Sequence, residues 1–394
     1  MSFRSLPVLR GRGASWNPPN RFERIHVDRT GWLDPDDPPP QTELLEDSTR
    51  SVLAFNQSPE VGFDVGLNPY RGCSHGCAYC YARPTHEYLG FSAGLDFETK
   101  ILVKRRAPEL LREALSSKRW KPQVIGMSGN TDPYQPAERR LRITRRCLEV
   151  LDDFKNPVGI VTKSYLVTRD VDLLGSLAEQ HAAAVVVSIT SLDPETQRAM
   201  EPRASIPARR LGAIRVLADA GIPVGVNVAP IVPGLTDHEV PEILEAAAEA
   251  GASFANYIVL RLPHGVKEIF SEWLGQHVPD RKAKVLNRVR ELRGGRLYDA
   301  RYAVRGRGEG PWADQIRTLF RVTRDRLGLE RAPTLSTAAF RPPPPTPGAQ
   351  MDLFGAAAPQ PSAAAASGRP PTRTPPVEPL GEPGCSSRRS TGSS

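Results

Sequence analysis

From about residue 51 onward, short apolar runs alternate with longer stretches whose apolar positions recur every three or four residues. The apolar runs are strand candidates: Gln123–Met127, Val158–Thr162, Ala184–Ile189, Val224–Ile231 and Phe254–Leu260. Helical periodicity between them covers Pro108–Ser116, Glu138–Asp153, Asp170–His181, Ile206–Ala220 and Asp237–Ala250. Gly221-Ile-Pro ahead of one strand and Thr236-Asp-His-Glu at the start of one helix supply the expected punctuation. Alternation at a spacing of about 30 residues is the pattern of parallel βαβ units. One more strand near 63–68 or 97–103 brings the count to about six, short of the eight in a closed barrel. The fold class is therefore α/β, a partial (β/α)6 TIM-type barrel.

The flanks read differently. Residues 1–50 are rich in Arg, Pro and Asp without periodicity, an irregular N-terminal arm. The barrel is assigned to 51–264. Residues 265–334 form a helical C-terminal extension, with Glu268–Leu274, Arg281–Arg293 and Trp312–Leu327 as its helices. Fourteen of the 39 prolines fall between Pro333 and Pro383, in a segment with few large apolar side chains. Such a composition buries too little surface to offset ordering entropy, so 335–394 is expected to be a disordered Pro/Ala/Ser-rich tail.

Charge narrows the picture only slightly. The net formal charge is +8, and the tail, with five Arg against three acids, accounts for +2 of it. The remainder permits an anionic substrate such as DNA without requiring one. No run of about 18 apolar residues occurs, so no membrane partner is expected. The opening residues lack the apolar segment of a signal peptide. Five cysteines, three of them within eight residues, make a poor disulfide framework. The expected location is cytoplasmic.

The strongest chemical signal is Asn68-Pro-Tyr-Arg-Gly-Cys73-Ser-His-Gly-Cys77-Ala-Tyr-Cys80-Tyr. Its C-x3-C-x2-C spacing puts three thiols on one glycine-containing loop. Three soft sulfur ligands can hold three irons of a [4Fe-4S] cluster and leave the fourth open for chemistry. A Cys3His zinc site completed by His75 or His86 is the competitor, although C-x3-C is less usual for zinc. Three free thiols is the bland alternative.

With Tyr79 before the third cysteine, this motif resembles the signature of radical S-adenosylmethionine (SAM) enzymes. The surrounding Asn68-Pro-Tyr-Arg-Gly and Tyr81-Ala-Arg-Pro-Thr-His, together with Gly11-Arg-Gly-Ala-Ser-Trp-Asn-Pro-Pro-Asn-Arg-Phe-Glu23, resemble the subgroup containing spore photoproduct lyase and its bacterial relatives. The resemblance covers about residues 10–330. It implies that Cys73, Cys77 and Cys80 ligate the cluster, and that SAM chelates the open iron beside Tyr79. It further implies SAM contacts from Ser128, Thr131 and Asp132 after the first central strand, Lys163 and Ser188 at the ends of the next two, and Arg203. The backbone of Val228–Thr236 would flank the adenine. All of these lie near C-terminal ends of expected strands, where parallel α/β folds place their sites. Taken singly, each has a plainer reading: Lys163 as a solvated loop charge, Ser188 as a polar strand end, Asp132 as the N-cap of the helix at Glu138.

The implied reaction is reductive cleavage of SAM to methionine and a 5′-deoxyadenosyl radical that abstracts hydrogen from a substrate, with electrons from an external donor of flavodoxin or ferredoxin type. Spore photoproduct lyase uses one more cysteine as hydrogen donor, in a segment where this chain has Gly129. Cys147 reads as a small buried apolar residue, and Cys385 lies in the tail. Tyr134 and Tyr165 are then the candidate relays, and His264 is the one histidine that could face substrate, with a surface loop as its plainer reading. In the tail, Gln350-Met-Asp-Leu-Phe354 resembles the pentapeptide with which bacterial replication proteins dock on the sliding clamp, a DNA-side partner. A zinc-stabilised nucleic-acid binding protein without catalysis, and a non-catalytic sensor of SAM and cluster, are the competing readings.

Overall fold

The computed structural model describes residues 8–24 and 40–343. The clamp-like Gln350–Phe354 segment and the tail from residue 344 on lie outside these described residues. Among them ten strands occur, in chain order β1 (Glu43–Glu46), β2 (Leu53–Phe55), β3 (Val65–Leu67), β4 (Tyr70–Arg71), β5 (Lys100–Val103), β6 (Ile125–Met127), β7 (Val158–Thr162), β8 (Ala183–Ile189), β9 (Val224–Ile231) and β10 (Phe254–Val259). Seven form one sheet in the order β10-β9-β8-β7-β6-β3-β2, and β1, β5 and β4 form a small second sheet. From β3 to β10 every pairing in the large sheet is parallel, giving six parallel strands, and β2 pairs antiparallel with β3 at one edge. No barrel is closed. The partial TIM-type fold expected from the sequence is present.

The central strands read as near-continuous apolar runs because both faces are covered, and all eight residues of β9 are buried. The helices between strands present Leu148 and Leu151, Leu174 and Leu177, Ile214 and Leu217, and Ile243 and Leu244 to one core, all fully buried. No helix among the described residues is long and apolar enough to cross a membrane.

Several elements depart from the sequence reading. The first barrel strand is Val65–Leu67, whereas 97–103 divides into a helical turn Leu95–Thr99 and a strand of the small sheet. The expected helix Glu138–Asp153 is two helices, Glu138–Leu141 and Ile143–Phe154, separated by Arg142 at φ +52°. The buried Glu138 carboxylate caps the second one, accepting the amides of Thr144 at 3.0 Å and Arg145 at 3.3 Å, and also binds Arg169 at 2.7 Å and the Tyr70 hydroxyl. The helix Pro194–Met200, capped by Asp193, was not expected. The arm is not wholly irregular, since β1 pairs in register with β5. Residues 335–343, assigned to the tail, run along the barrel. The Ser336 amide donates to His181 O at 2.9 Å, that of Arg341 donates to Phe154 O at 3.0 Å, and Phe340 packs on the Phe154 ring.

The open side of the sheet lies between edge strands β2 and β10. Side chains bridge it: Glu60, in the loop after β2, accepts from the Ala303 amide at 2.6 Å and from the Arg305 guanidinium, which also reaches Ser58 at 3.0 Å. Helix Pro311–Arg326 then packs beside β10 through Phe320, 4.6 Å from the Tyr257 ring.

Glu138→Ala removes the shared acceptor of a buried network and is expected to lower the unfolding free energy by about 3 kcal/mol. Arg112→Ala breaks an exposed pair with Asp153 and should change it by less than about 1 kcal/mol. Urea titrations of both variants check the contrast.

Candidate active site

The cysteine loop leaves β4 and is tied down on every side. The Cys73 amide donates to Phe97 O at 2.9 Å, and the Ala78 amide donates to Met200 O at 3.0 Å. The Thr131 hydroxyl and the Gln135 amide donate to Gly72 O at 2.6 and 3.1 Å, and Gln135 Oε1 accepts the Ser74 amide at 3.0 Å. Behind the loop Arg83, fully buried, donates twice to Cys77 O and meets the equally buried Glu98 at 2.5 Å. Glu98 also accepts the amides of Gly13 and Ala14 at 3.1 and 2.9 Å, which docks the N-terminal arm on the loop. The approach is so close that a Cβ on Gly13 would lie 1.8 Å from Gly76 O.

All three thiols line one cavity of about 900 Å³ at the C-terminal ends of the parallel strands. Burial pushes the thiol of Cys77 well up and that of Cys80 to about 11. Cys147 is fully buried in the helix Ile143–Phe154, away from this cavity. Three thiols on one buried loop, with no fourth cysteine beside them among the described residues, suit a [4Fe-4S] cluster that keeps one iron open. A single zinc ion is a poorer match. His75 is held by Asp132 at 3.4 Å and His86 by Lys100 O at 2.9 Å. Among the described residues no three His, Cys, Asp or Glu side chains are arranged to hold one metal ion.

The expected SAM-contact residues divide into three groups. Tyr79, Ser128, Thr131, Asp132, Lys163 and Ser188 all line the cavity. Thr131 and Asp132 have their polar atoms engaged within the protein. Asp132 accepts from the Thr162 hydroxyl at 2.7 Å, the Lys163 amide at 2.8 Å and the Tyr134 amide at 2.9 Å, and does not cap the helix at Glu138. Burial opposes its charge, but His75 and these donors outweigh burial and hold the carboxyl below its ordinary range. Arg203 is the exception: it is exposed, lies off the cavity and donates to Thr42 of the arm at 3.1 Å. The chain turns after Met200, so Glu201, two residues earlier, points inward in its place.

Glu201, which shares with Arg203 the stretch Glu201-Pro-Arg203 where the family resemblance implies charged SAM contacts, is the charged centre here. It is fully buried between Arg210 and Lys163, whose Nζ lies 3.3 Å away, and accepts from the hydroxyls of Thr190 at 2.7 Å and of Tyr79. Burial disfavours its charge, yet the two cations hold its carboxyl far below the ordinary range. Burial and the Glu201 charge together keep Tyr79 protonated well past its usual pKa. Lys163 Nζ also donates to Ala229 O at 2.8 Å and lies 5.8 Å from the Tyr79 ring centre. Next to Ser188 in register stands Asn227, also in the wall, whose Oδ1 is buried without a partner.

Other expectations fail on position. Tyr134 and Tyr165 do not line the cavity, where Tyr79, Tyr81 and Tyr257 do. His264 lies outside it, exposed with Nδ1 3.1 Å from Arg21 of the arm, in agreement with its surface-loop reading. Gly129 is in the wall, with nothing within 4 Å of where a Cβ would stand.

Residues 67–247 match a family model described as the radical SAM superfamily. An uncharacterised protein of Mycobacterium tuberculosis is 37% identical over 244 residues, covering 61% of this chain and 71% of that protein. One of Methanocaldococcus jannaschii is 30% identical over 190 residues, covering 48% and 69%. Among solved structures, spore photoproduct lyase complexed with dinucleoside spore photoproduct matches with a TM-score of 0.52 at 18% identity, covering 72% of this chain and 79% of that one. That likeness is one of fold.

Glu201→Leu strands the buried Arg210 charge and is expected to cost about 3–5 kcal/mol, most of which Arg210→Leu in the same chain should restore. Guanidinium unfolding of the single and double variants tests this. Gly13→Ala drives a methyl into the Gly76 carbonyl and should reduce the iron held per chain after reconstitution. Iron content equal to wild type would show that the arm does not constrain the loop.

Proposed function

The chain belongs to the radical SAM superfamily, and on that premise we propose that it uses a [4Fe-4S] cluster on Cys73, Cys77 and Cys80 to cleave SAM reductively and abstract hydrogen from a substrate held in the adjoining cavity. The observation that carries this reading is the gathering of three thiols, Cys73 and Cys77 buried and Cys80 partly so, with no fourth beside them among the described residues, at the strand ends of an open cavity. When bound there, the reduced cluster would supply one electron to the sulfonium of SAM, whose C–S bond would break to methionine and a 5′-deoxyadenosyl radical.

The chain's own residues have separable tasks. Thr131, Gln135 and Arg83 fix the carbonyls of the cysteine loop, so the thiols are positioned before any metal arrives. Lys163 is held by Glu201 and Ala229 O with its ammonium toward the cavity, where it would meet the SAM carboxylate. Ser188, whose hydroxyl has no hydrogen bond among the described residues, and the unpartnered Asn227 Oδ1 would take polar groups of the adenosyl moiety. Tyr79 would lie along the adenine. Apolar wall residues such as Val161, Val186 and Val259 exclude water from the reacting carbon. Superfamily members need an external electron donor, and we assign it here to the flavodoxin or ferredoxin type.

Anaerobic reconstitution with iron and sulfide, followed by dithionite and SAM, is expected to release 5′-deoxyadenosine from the wild type and none from Cys73→Ala, Cys77→Ala or Cys80→Ala. A brown, fully loaded wild type that makes no deoxyadenosine would point to a cluster and SAM sensor. Colourless protein holding zinc would overturn the reading.

A further inference from the structure

The cavity does not end at the strand tips. It follows β10 from Val259 back to Phe254 and reaches the loop Glu60–Phe63 on the opposite edge, so it opens through the gap between β2 and β10. The wall of that gap carries six arginines: Arg261, Arg307, Arg317, Arg321, Arg324 and Arg331. Only two acids line the cavity, and both are engaged. Asp132 is bound as described above, and Glu60 is taken by Arg305 and the Ala303 amide.

The arginines have little to neutralise them. Arg317 and Arg324 pair with Asp314 and Asp325, both more than half exposed, pairs that contribute little in water. Arg321 and Arg331 have no acidic partner among the described residues. Arg307 Nη1 and Arg261 Nε are buried donors without an acceptor, and such groups in a folded protein call for an explanation. A guanidinium fork with a free donor suits a phosphate.

Two further features say what kind of anion. Arg317, Arg321 and Arg324 recur at i, i+4 and i+7, one stripe about 10 Å long on the helix. A stripe of that length serves a chain of charges better than a single small anion. Between the arginines stand aromatic faces. Arg307 lies 3.8 Å from the Tyr257 ring centre, Arg261 lies 4.7 Å from that of the half-exposed Tyr81, and Phe63 and Phe320 complete the wall. Cations alternating with rings form the surface on which unpaired bases stack while phosphates are held. A stacked, paired base could not reach into such a cavity without leaving its helix.

We propose that the gap between β2 and β10 is a docking groove for single-stranded nucleic acid, which presents one unpaired nucleotide to the cavity beneath it. The proposal rests on the radical SAM reading for what happens to that nucleotide, but the binding stands apart from it.

The test uses the full-length reconstituted protein and a fluorescein-labelled 12-nucleotide single strand of mixed sequence, with anisotropy titrations from 50 to about 300 mM salt. The wild type is expected to bind with a steep negative slope of log affinity against log salt. Arg321→Ala with Arg331→Ala should raise Kd by about tenfold and flatten the slope by about 1.4, two phosphate contacts' worth. The corresponding lysine pair should regain most of the slope. Arg106→Ala with Arg112→Ala, which removes the same charge from a helix off the cavity, should leave it unchanged. No binding, equal flattening by the two alanine pairs, equal affinity for a duplex, or equal affinity for a mononucleotide would each overturn the proposal. Deoxyadenosine formation by the wild type without oligonucleotide is the separate readout. If it fails while arginine-dependent strand binding persists, the radical reading falls and the groove stands.

Discussion

The site depends on a single buried carboxylate. Glu98 has no exposed surface, and its two oxygens are shared among the Arg83 guanidinium and the amides of Gly13 and Ala14. A carboxylate in that position is tolerable only because both of its oxygens have donors, one of them a guanidinium. Arg83 in turn holds the carbonyl of Cys77. Three stretches distant in sequence (the arm, the segment after the third cysteine, and the turn before β5) are thereby fixed to the loop that carries the thiols. Remove the charge at Glu98, and Arg83 is left buried with the loop's rear support gone.

Glu201 repeats the device on the cavity side, with Arg210 behind it and Lys163 in front. The loop lies between the two. Each carboxylate is neutralised by a fully buried arginine, so neither places a net negative charge against the thiol loop. Lys163 differs from the arginines in that its Nζ also faces the cavity. A single lysine thus stands at the cavity, while the planar arginine forks lie buried behind the carboxylates.

Sequence carried the local part of this and missed the remote part. The cysteine spacing, Tyr79 and the strand-end positions of Lys163 and Ser188 are legible because each depends on a few neighbouring residues and on strands that declare themselves by apolar runs. Arg83 and Glu98 look like surface charges in short helical turns. Their burial depends on Gly13 and Ala14, some 85 residues away, and no periodicity reports it. Arg203 and Glu201 share a tripeptide, and which of them turns inward is decided by where the helix Pro194–Met200 ends. The helix Trp312–Leu327 is legible in the sequence, but that its arginines line a gap depends on the sheet staying open, which no local pattern reports. Residues 335–343 read as tail because their composition is poor, yet Phe340 packs on Phe154 and two backbone hydrogen bonds seat them.

A closed barrel has its circumference set by strand number and stagger, and neither changes without breaking backbone hydrogen bonds. Here the last span of the circle is made by side chains, Glu60 with Arg305 and Ser58, both charged partners about one-fifth exposed. That span can lengthen or shorten by rotamer changes while all seven strands of the large sheet keep their register. The girth of this partial barrel thus rests at the gap on side-chain contacts alone, whereas the cysteine end is tied by buried hydrogen bonds to backbone carbonyls. One scaffold thus carries a tightly tied loop at one end and, along its side, a seam that no backbone-to-backbone hydrogen bond closes among the described residues.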